Sequence, residues 1–331
     1  MLQRVMNKTT KKIWLQYILV PILCIIIAYL IYKQLFIDGD FYKEWALLKV
    51  AFINANPFLI FLVLLLAPCN WSLEAKKWQI LLSKIQPASF LKSLAAVLNG
   101  MTISLITPNR VGDFAGRILH VEHNKKVKAA LATMIGGIAQ LTVTTVSGII
   151  GLLYYNIAFP SVIAKIALMI ALCIAIIMLL LYFNVGKVAF LKAKHPFLRK
   201  IIIGLQIIKR YSLIDLLKIL LCSLGRFAIY NIQFILLINI LGAQVPFGIG
   251  YLMSSLMFWV FTVVPSVAML ELGVRGYTGL YLFVDTRLTN NGVAVLSGSY
   301  TLWLLNLVLP AIVGLIIMGS LSYRNGKIEN K

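Results

Sequence analysis

The sequence predicts an all-α polytopic membrane protein with about seven or eight transmembrane helices and two broken or re-entrant segments related as inverted repeats. Three observations predict it. Of 331 residues, 61% are hydrophobic, only 12% are charged and the mean hydropathy is +0.92, more apolar surface than one water-soluble core hides. Apolar runs of roughly 20 residues, the length that crosses a hydrocarbon layer, recur along the chain. Two stretches combine proline, glycine, an acid and arginine in a setting where neither a broken helix nor a charge is cheap.

The runs are Trp14–Ile37, Trp45–Ala67, Ala129–Tyr155, Val162–Phe183, Leu216–Leu241, Phe247–Val264 and Gly292–Leu321. Trp14–Ile37 is too long for a signal-peptide core and no small-residue cleavage site follows it, so it reads as a retained anchor. Phe90–Thr107 is shorter and more polar. Lysine and arginine total 31 against 10 acids, a net charge of +21, and the excess gathers on alternate loops. Arg4, Lys8, Lys11 and Lys12 precede the first run, whereas Asp38, Asp40, Lys43 and Glu44 follow it. By the positive-inside rule the N-terminus is cytoplasmic. Lys76, Lys77 and Lys84 return the chain to that side, as do the loop from Lys187 to Arg210 and the C-terminal Arg324 and Lys327. Because Lys125, Lys126 and Lys128 are basic too, Phe90–Thr107 has a cytoplasmic flank at each end and reads as a re-entrant hairpin. For Pro265–Val284 parity allows either a broken crossing or a hairpin with its neighbours.

These lysines and arginines form the inner rim of a bacterial cytoplasmic-membrane protein and offer contacts to anionic lipid. Nucleic acid is not an expected partner, because the charge lies in short loops. Cys24, Cys69, Cys173 and Cys222 lack metal-ligand spacing and read as small buried hydrophobes. Residues 1–331 read as a single integral membrane domain, with loops too short for a soluble domain.

The two breaker segments share a recipe. In Thr107–Arg117, Pro108 is followed by Arg110, Gly112, Asp113, Gly116 and Arg117; in Val264–Gly276, Pro265 is followed by Glu271, Gly273 and Arg275. Proline removes a backbone donor, so such a segment must face protein or a wet cavity. Asp113 and Glu271 are costly near membrane depth unless paired. Arg110, Arg117 and Arg275 stand beside them, able to meet a phosphate together with half-helix amides. The plainer alternative is that each pair staples a hairpin. Arg226 falls close to mid-membrane, with Glu271 or Asp113 as its expected partner. Gln140 is the polar residue to watch in a span whose Gly136, Gly137, Gly148 and Gly151, with Thr142, Thr144 and Thr145, suit close helix packing. Asn99, Thr102 and Ser104 point to a cavity-lining role for the Phe90 segment. His120, Glu122 and His123 resemble a fragment of a metal site, but this spacing fits solvated interfacial residues better, and neither metal nor cofactor is expected.

Asn70-Trp71-Ser72-Leu73-Glu74-Ala75-Lys76-Lys77-Trp78, Thr107-Pro108-Asn109-Arg110 with Gly112-Asp113 and Gly116-Arg117, Gly136-Gly137-Ile138-Ala139-Gln140, and Pro265-Ser266 with Glu271-Leu272-Gly273-Val274-Arg275-Gly276 together resemble the lysylphosphatidylglycerol synthase transmembrane family. That family includes the flippase half of the multiple peptide resistance factor. The resemblance implies a flippase-like domain that moves a lipid between leaflets. In two-part relatives a soluble C-terminal domain makes the aminoacylated lipid. This sequence departs from them after Leu321, so lysyl transfer is not carried over and no synthetase domain is expected.

The expected function is translocation of an anionic or aminoacylated phospholipid, or of a lipid-linked precursor, without chemical change. Arg110, Arg117 and Arg275 would bind phosphate, and Asp113 and Glu271 would position them. Two other classes stay open. One is a membrane-embedded transferase using Asp113, His120, Glu122 and His123. The other is a non-catalytic membrane partner of a separately encoded lipid-modifying enzyme. A homo-oligomer is also compatible with the sequence.

Overall fold

A computed structural model describes Tyr29, Tyr32 and residues 41–105, 107, 111–188, 210–263 and 268–329. The Trp14–Ile37 run, Cys24, Pro108, Asn109, Arg110, most of the loop from Lys187 to Arg210, and Pro265 with Ser266 lie outside the described residues. Everything regular in the described chain is helical: α1 (Phe41–Ile53), α2 (Pro57–Ser83), α3 (Phe90–Leu105), α4 (Gly112–Ile118), α5 (Lys126–Ala158), α6 (Val162–Val188), α7 (Leu213–Ile240), α8 (Phe247–Val263), α9 (Ala268–Leu280), α10 (Gly292–Trp303) and α11 (Leu309–Glu329). Five helices are long and apolar enough to cross a membrane: α2, α5, α6, α7 and the continuous α10–α11; α3 and α8 are shorter apolar helices. This is a multi-pass, all-helical membrane protein.

The expected second span moves along the chain. Asn56 accepts from the Phe58 amide at 2.9 Å and Pro57 opens α2, so the helix starts here rather than at Trp45. It then continues through Pro68 to Ser83 and carries Glu74 and Lys77 with it. Lys77, read from sequence as part of a cytoplasmic loop, is 2% exposed, while Lys76 faces outward.

At both breaker segments the described flanking helices pack against one another. In the first, α4 runs back along α3 so closely that a Cβ on Gly116 would lie 2.4 Å from the Asn99 carbonyl oxygen, and one on Gly112 2.4 Å from that of Ile103. Glycine at these two positions lets the backbones meet. The hairpin ends where it began: Gln86 donates to the His120 carbonyl at 3.3 Å and accepts from the Glu122 amide at 3.2 Å. Phe90–Leu105 is itself one uninterrupted helix, and the return is made by α4, beyond the Phe90–Thr107 segment expected to turn back. In the second, α8 descends along α7 and α9 returns. Phe258 packs edge-on to both Tyr230 and Phe234, and Phe283 of the π-helical turn that continues α9 reaches the same Phe234, with centroids at 5.7 Å. A Cβ on Gly279 would lie 3.2 Å from Val295 and 3.6 Å from the Met257 sulfur, so α8 and α9 lie side by side.

The hairpins enter from opposite ends. Around the base of the first lie Lys84, which pairs with Asp215 at 2.8 Å, and Arg210, which donates to the Lys84 carbonyl at 3.5 Å. Tyr211 donates to Leu81 at 2.6 Å at the same end. At the base of the second, the turn after α7 meets the turn before α10, Gly242 lying beside Asn291 and Ala51. Two apolar clusters follow this division. One gathers Trp78, Leu81, Val97, Ile135 and Ile219; the other gathers Phe234, Ile238, Met257, Phe283 and Val295, and Leu220 touches both. On the outside, α6 presents Ile163, Ile166, Met169, Ile170 and Ile177, the surface expected of a lipid-facing span.

The glycines of α5 act as the sequence suggested, with one exception. Gly148 and Gly151 admit Trp259 and the Leu252 carbonyl, and Gly136 admits Leu81, but Gly137 faces open space. Thr142 and Thr144 return their hydroxyls to carbonyls of their own helix, of Ile138 and Gln140, rather than to a neighbour. Thr102 donates to the Ala311 carbonyl of α11 at 2.7 Å, so on α3 this hydroxyl bonds protein instead of lining a cavity. Cys69 and Cys173 are exposed and Cys222 half-buried; they lie on helix surfaces, not in the core.

Candidate functional site

Glu74 lies on the inward face of α2, one turn below Asn70 and close to one turn above Lys77 and Trp78, a spacing that puts all four on one side of a helix. Three cations converge on its carboxylate. Lys77 reaches Oε2 at 2.7 Å, Arg117 Nη2 reaches Oε1 at 2.7 Å, and Arg226 Nη1 also binds Oε2. Arg117 in turn holds Asp113 through Nε at 2.8 Å, an i,i+4 pair within α4, and its guanidinium stacks over Trp78 with 5.6 Å to the ring centroid. Glu74, Lys77 and Arg117 are almost fully buried, whereas the side chains of Asp113 and Arg226 are 26% and 22% exposed.

The second hairpin repeats the construction. Arg275 donates to Glu271 Oε1 from Nη2 at 2.6 Å and from Nε at 3.1 Å, another i,i+4 pair just past a break. Its Nη1 donates to the Tyr230 hydroxyl at 3.1 Å and its guanidinium lies over Phe261 at 4.9 Å. Arg226 and Tyr230 are one turn apart on α7, near the middle of that helix. α7 is thus linked to the second pair directly, through Tyr230, and to the first through Glu74 of α2.

From Arg226 a chain of neutral amides leads away from Glu74. Arg226 Nε donates to Asn70 Oδ1 at 2.8 Å, Asn70 Nδ2 to Asn306 Oδ1 at 2.9 Å, Asn306 Nδ2 to Gln233 Oε1 at 2.7 Å, and Gln233 Nε2 to the Val63 carbonyl at 2.8 Å. Asn306 sits in a π-helical turn, Leu304–Val308, between α10 and α11. The wider turn is a local departure of the kind often found where a helix serves a site.

Of the residues singled out from sequence, Asp113, Arg117 and Arg226 gather around Glu74, and Glu271 and Arg275 form a second pair that reaches Tyr230 of α7. Arg110 lies outside the described residues. Gln140 joins no part of the network; its buried Oε1 has no hydrogen-bond partner among the described residues. Arg226 does not pair with Asp113 or Glu271, as expected, but with Glu74, because the unbroken α2 carries that carboxylate opposite the middle of α7. Glu74 and Lys77 are the functional candidates that sequence reasoning missed. His120 is half-buried, its Nε2 2.7 Å from Asn99 Nδ2, while His123 and Glu122 are exposed and Glu122 pairs with Lys125. Among the described residues no three His, Cys, Asp or Glu side chains form a group able to hold a metal ion.

The family model for the lysylphosphatidylglycerol synthase TM region matches residues 13–308. The chain belongs to this family. The match spans both hairpins, the Glu74 cluster and the π turn, so the lipid-related membrane role of the family applies to the part of the chain that carries the ionic layer. No curated protein matches the chain.

Proposed function

We propose that this protein translocates a phospholipid, or a lipid-linked precursor, between the leaflets of the bacterial cytoplasmic membrane, and that it does so without chemically changing the lipid. The observation that carries the reading is an arginine–acid pair on each of two hairpins, both linked to α7: Arg226 holds Glu74, which binds Arg117 of the first hairpin, and Tyr230 accepts from Arg275 of the second. Each hairpin carries one arginine paired with an acid one helical turn away. A head group moving from one end to the other would pass from the Arg117–Asp113 pair to the Arg275–Glu271 pair while its acyl chains stayed in lipid. Arginine suits this, since its planar fork meets phosphate oxygens two at a time and it stays charged when partly desolvated.

In this reading the basic end, with Lys84, Lys125, Lys126, Lys128 and Arg210, faces the cytoplasm together with both termini. A second copy of the chain, or a separately encoded enzyme that makes the lipid, is the kind of partner such a protein would have. The transferase alternative gains no support from geometry: Asp113 is bound to Arg117, His120 to Asn99 and Glu122 to Lys125, with no hydrogen bond joining them among the described residues.

The test is reconstitution into liposomes with a leaflet-specific fluorescent phospholipid. Wild-type protein should accelerate bleaching of inner-leaflet probe by external dithionite, and Arg226→Gln combined with Arg275→Gln should abolish the acceleration. Equal rates for wild type, the double variant and protein-free liposomes would overturn the proposal.

A further inference from the structure

The α10–α11 span is built in two pieces. Val295, Leu296 and Leu302 of α10 pack in the cluster around Phe234, whereas Ala311 of α11 packs in the cluster around Trp78. Each piece is fastened to a different neighbour. A Cβ on Gly298 would lie 2.6 Å from Ile238, so α10 rests closely on α7. On α11, Gly314 lets the helix press against the Leu98 carbonyl of α3, and Thr102 of α3 donates to the Ala311 carbonyl at 2.7 Å. α10 therefore goes with α7, and α11 with the first hairpin.

The stretch between the pieces is the weakest part of the span. Across Leu304–Val308 the helix widens, and the Leu309 amide closes the turn by donating five residues back, to the Leu304 carbonyl. Next comes Pro310, which has no N–H to offer the Asn306 carbonyl four residues before it. A π turn followed by proline is where a helix bends most readily. Asn306 holds this point from inside: its Nδ2 donates to Gln233 of α7 and to the Leu302 carbonyl at 3.2 Å, and its Oδ1 accepts from Asn70 of α2. Asn70 itself stands two residues past Pro68, the interior proline of α2. α2 and α7 are tied to each other toward both ends, by Gln233 to the Val63 carbonyl and by Tyr211, just before α7, to the Leu81 carbonyl. They form a frame, and one side chain joins the weak point of α10–α11 to both of its members.

We propose that the π turn and Pro310 are a joint about which α11 and the first hairpin swing as one piece against the α2–α7 frame, with the Asn306 amide as the latch for the observed position. The base of the hairpin stays tethered through the swing, since Gln86 holds both His120 and Glu122. What the swing changes is the reach of Arg117, on α4, to Glu74, on α2. The inference rests on the translocation reading for its use, which is to open and close the first ionic pair.

Spin labels on the full-length protein in nanodiscs read this motion. In a background with all four cysteines replaced by serine, Leu221→Cys on α7 and Ile316→Cys on α11, both exposed, report the distance between frame and moving piece. Phe247→Cys and Asn290→Cys, exposed before α8 and α10, form a control pair. The wild type should show one main distance and a minor second one. Asn306→Ala, which releases the latch, should raise the share of the second about tenfold. Pro310→Ala, which supplies the missing donor, should suppress it and slow lipid translocation about tenfold without lowering the melting temperature. A single unchanged distance in all three proteins overturns the proposal, and so does a change that the control pair shares, because the whole protein has then loosened. The same measurements separate this inference from translocation. If the distances respond as expected and none of the proteins moves lipid, the joint stands and translocation falls. If Pro310→Ala moves lipid at the wild-type rate and the distances never change, translocation stands and the joint falls.

Discussion

Glu74 on α2 and Arg226 on α7 pair across 152 positions of sequence, in the layer that divides two apolar clusters. Glu74 has three cationic partners, so its neutralisation leaves Lys77, Arg117 and Arg226 crowded around an amide. Removing one partner of a buried ion pair costs about 3–5 kcal/mol, most of it from the stranded charge. Glu74→Gln should therefore lower the melting temperature in detergent sharply and reduce the yield of monodisperse protein. Lys77→Gln, which leaves Glu74 two arginines, should be much milder. Equal melting temperatures for the two variants would contradict this account.

The first hairpin depends on backbone contact at Gly116, where a methyl group would press on the Asn99 carbonyl. Gly116→Ala should destabilise by about 1–3 kcal/mol, the usual range for overpacking. Gly137→Ala, on a helix face with nothing within 4 Å, should do the reverse and stabilise by up to about 1 kcal/mol through helix propensity. Thermal unfolding of both variants in the same detergent measures the opposite signs directly.

The hairpins were legible because proline, glycine and an i,i+4 acid and arginine pair are local signals, and they appear twice. The Glu74 cluster was hidden for a local reason too. Lys76 and Lys77 in a row look like an interfacial loop, and that reading ended α2 too soon. The available signal was the spacing Asn70, Glu74, Lys77 or Trp78, Leu81, a helical face with no breaker after Pro68. Once α2 is extended to Ser83, an acid and a lysine enter the interior and Arg226 acquires a partner. Asn306 gave no such warning. It faces Asn70 and Gln233 because the helix widens at Leu304–Val308, and no residue type there announces a π turn.

Asn306 links two other side chains, which makes it testable by a double-mutant cycle. Asn306→Leu leaves Asn70 Nδ2 and Gln233 Oε1 without their partner and should cost about 1–3 kcal/mol. Gln233→Leu in the same protein removes one of the stranded groups, so the pair should cost less than the two single changes added together. Strict additivity in the melting data would mean that the amide chain does not act as a unit.

His120 supplies a pH signature at the base of the first hairpin. Burial, and after it the Lys92 ammonium, hold its imidazolium below the ordinary value of 6.5. The Asn99 amide donates to a neutral ring nitrogen 2.7 Å away, a bond that protonation removes. A group whose folded-state value is depressed in this way favours the fold when neutral. Its contribution is complete above pH 6.5 and is lost as acidification carries the protein through the lower folded-state value. The melting temperature of the wild type should thus fall as pH drops below 6.5, and His120→Gln, which can still meet Asn99 but cannot titrate there, should fall less. A steeper acid loss in His120→Gln than in the wild type would show that the imidazole is not the group responsible.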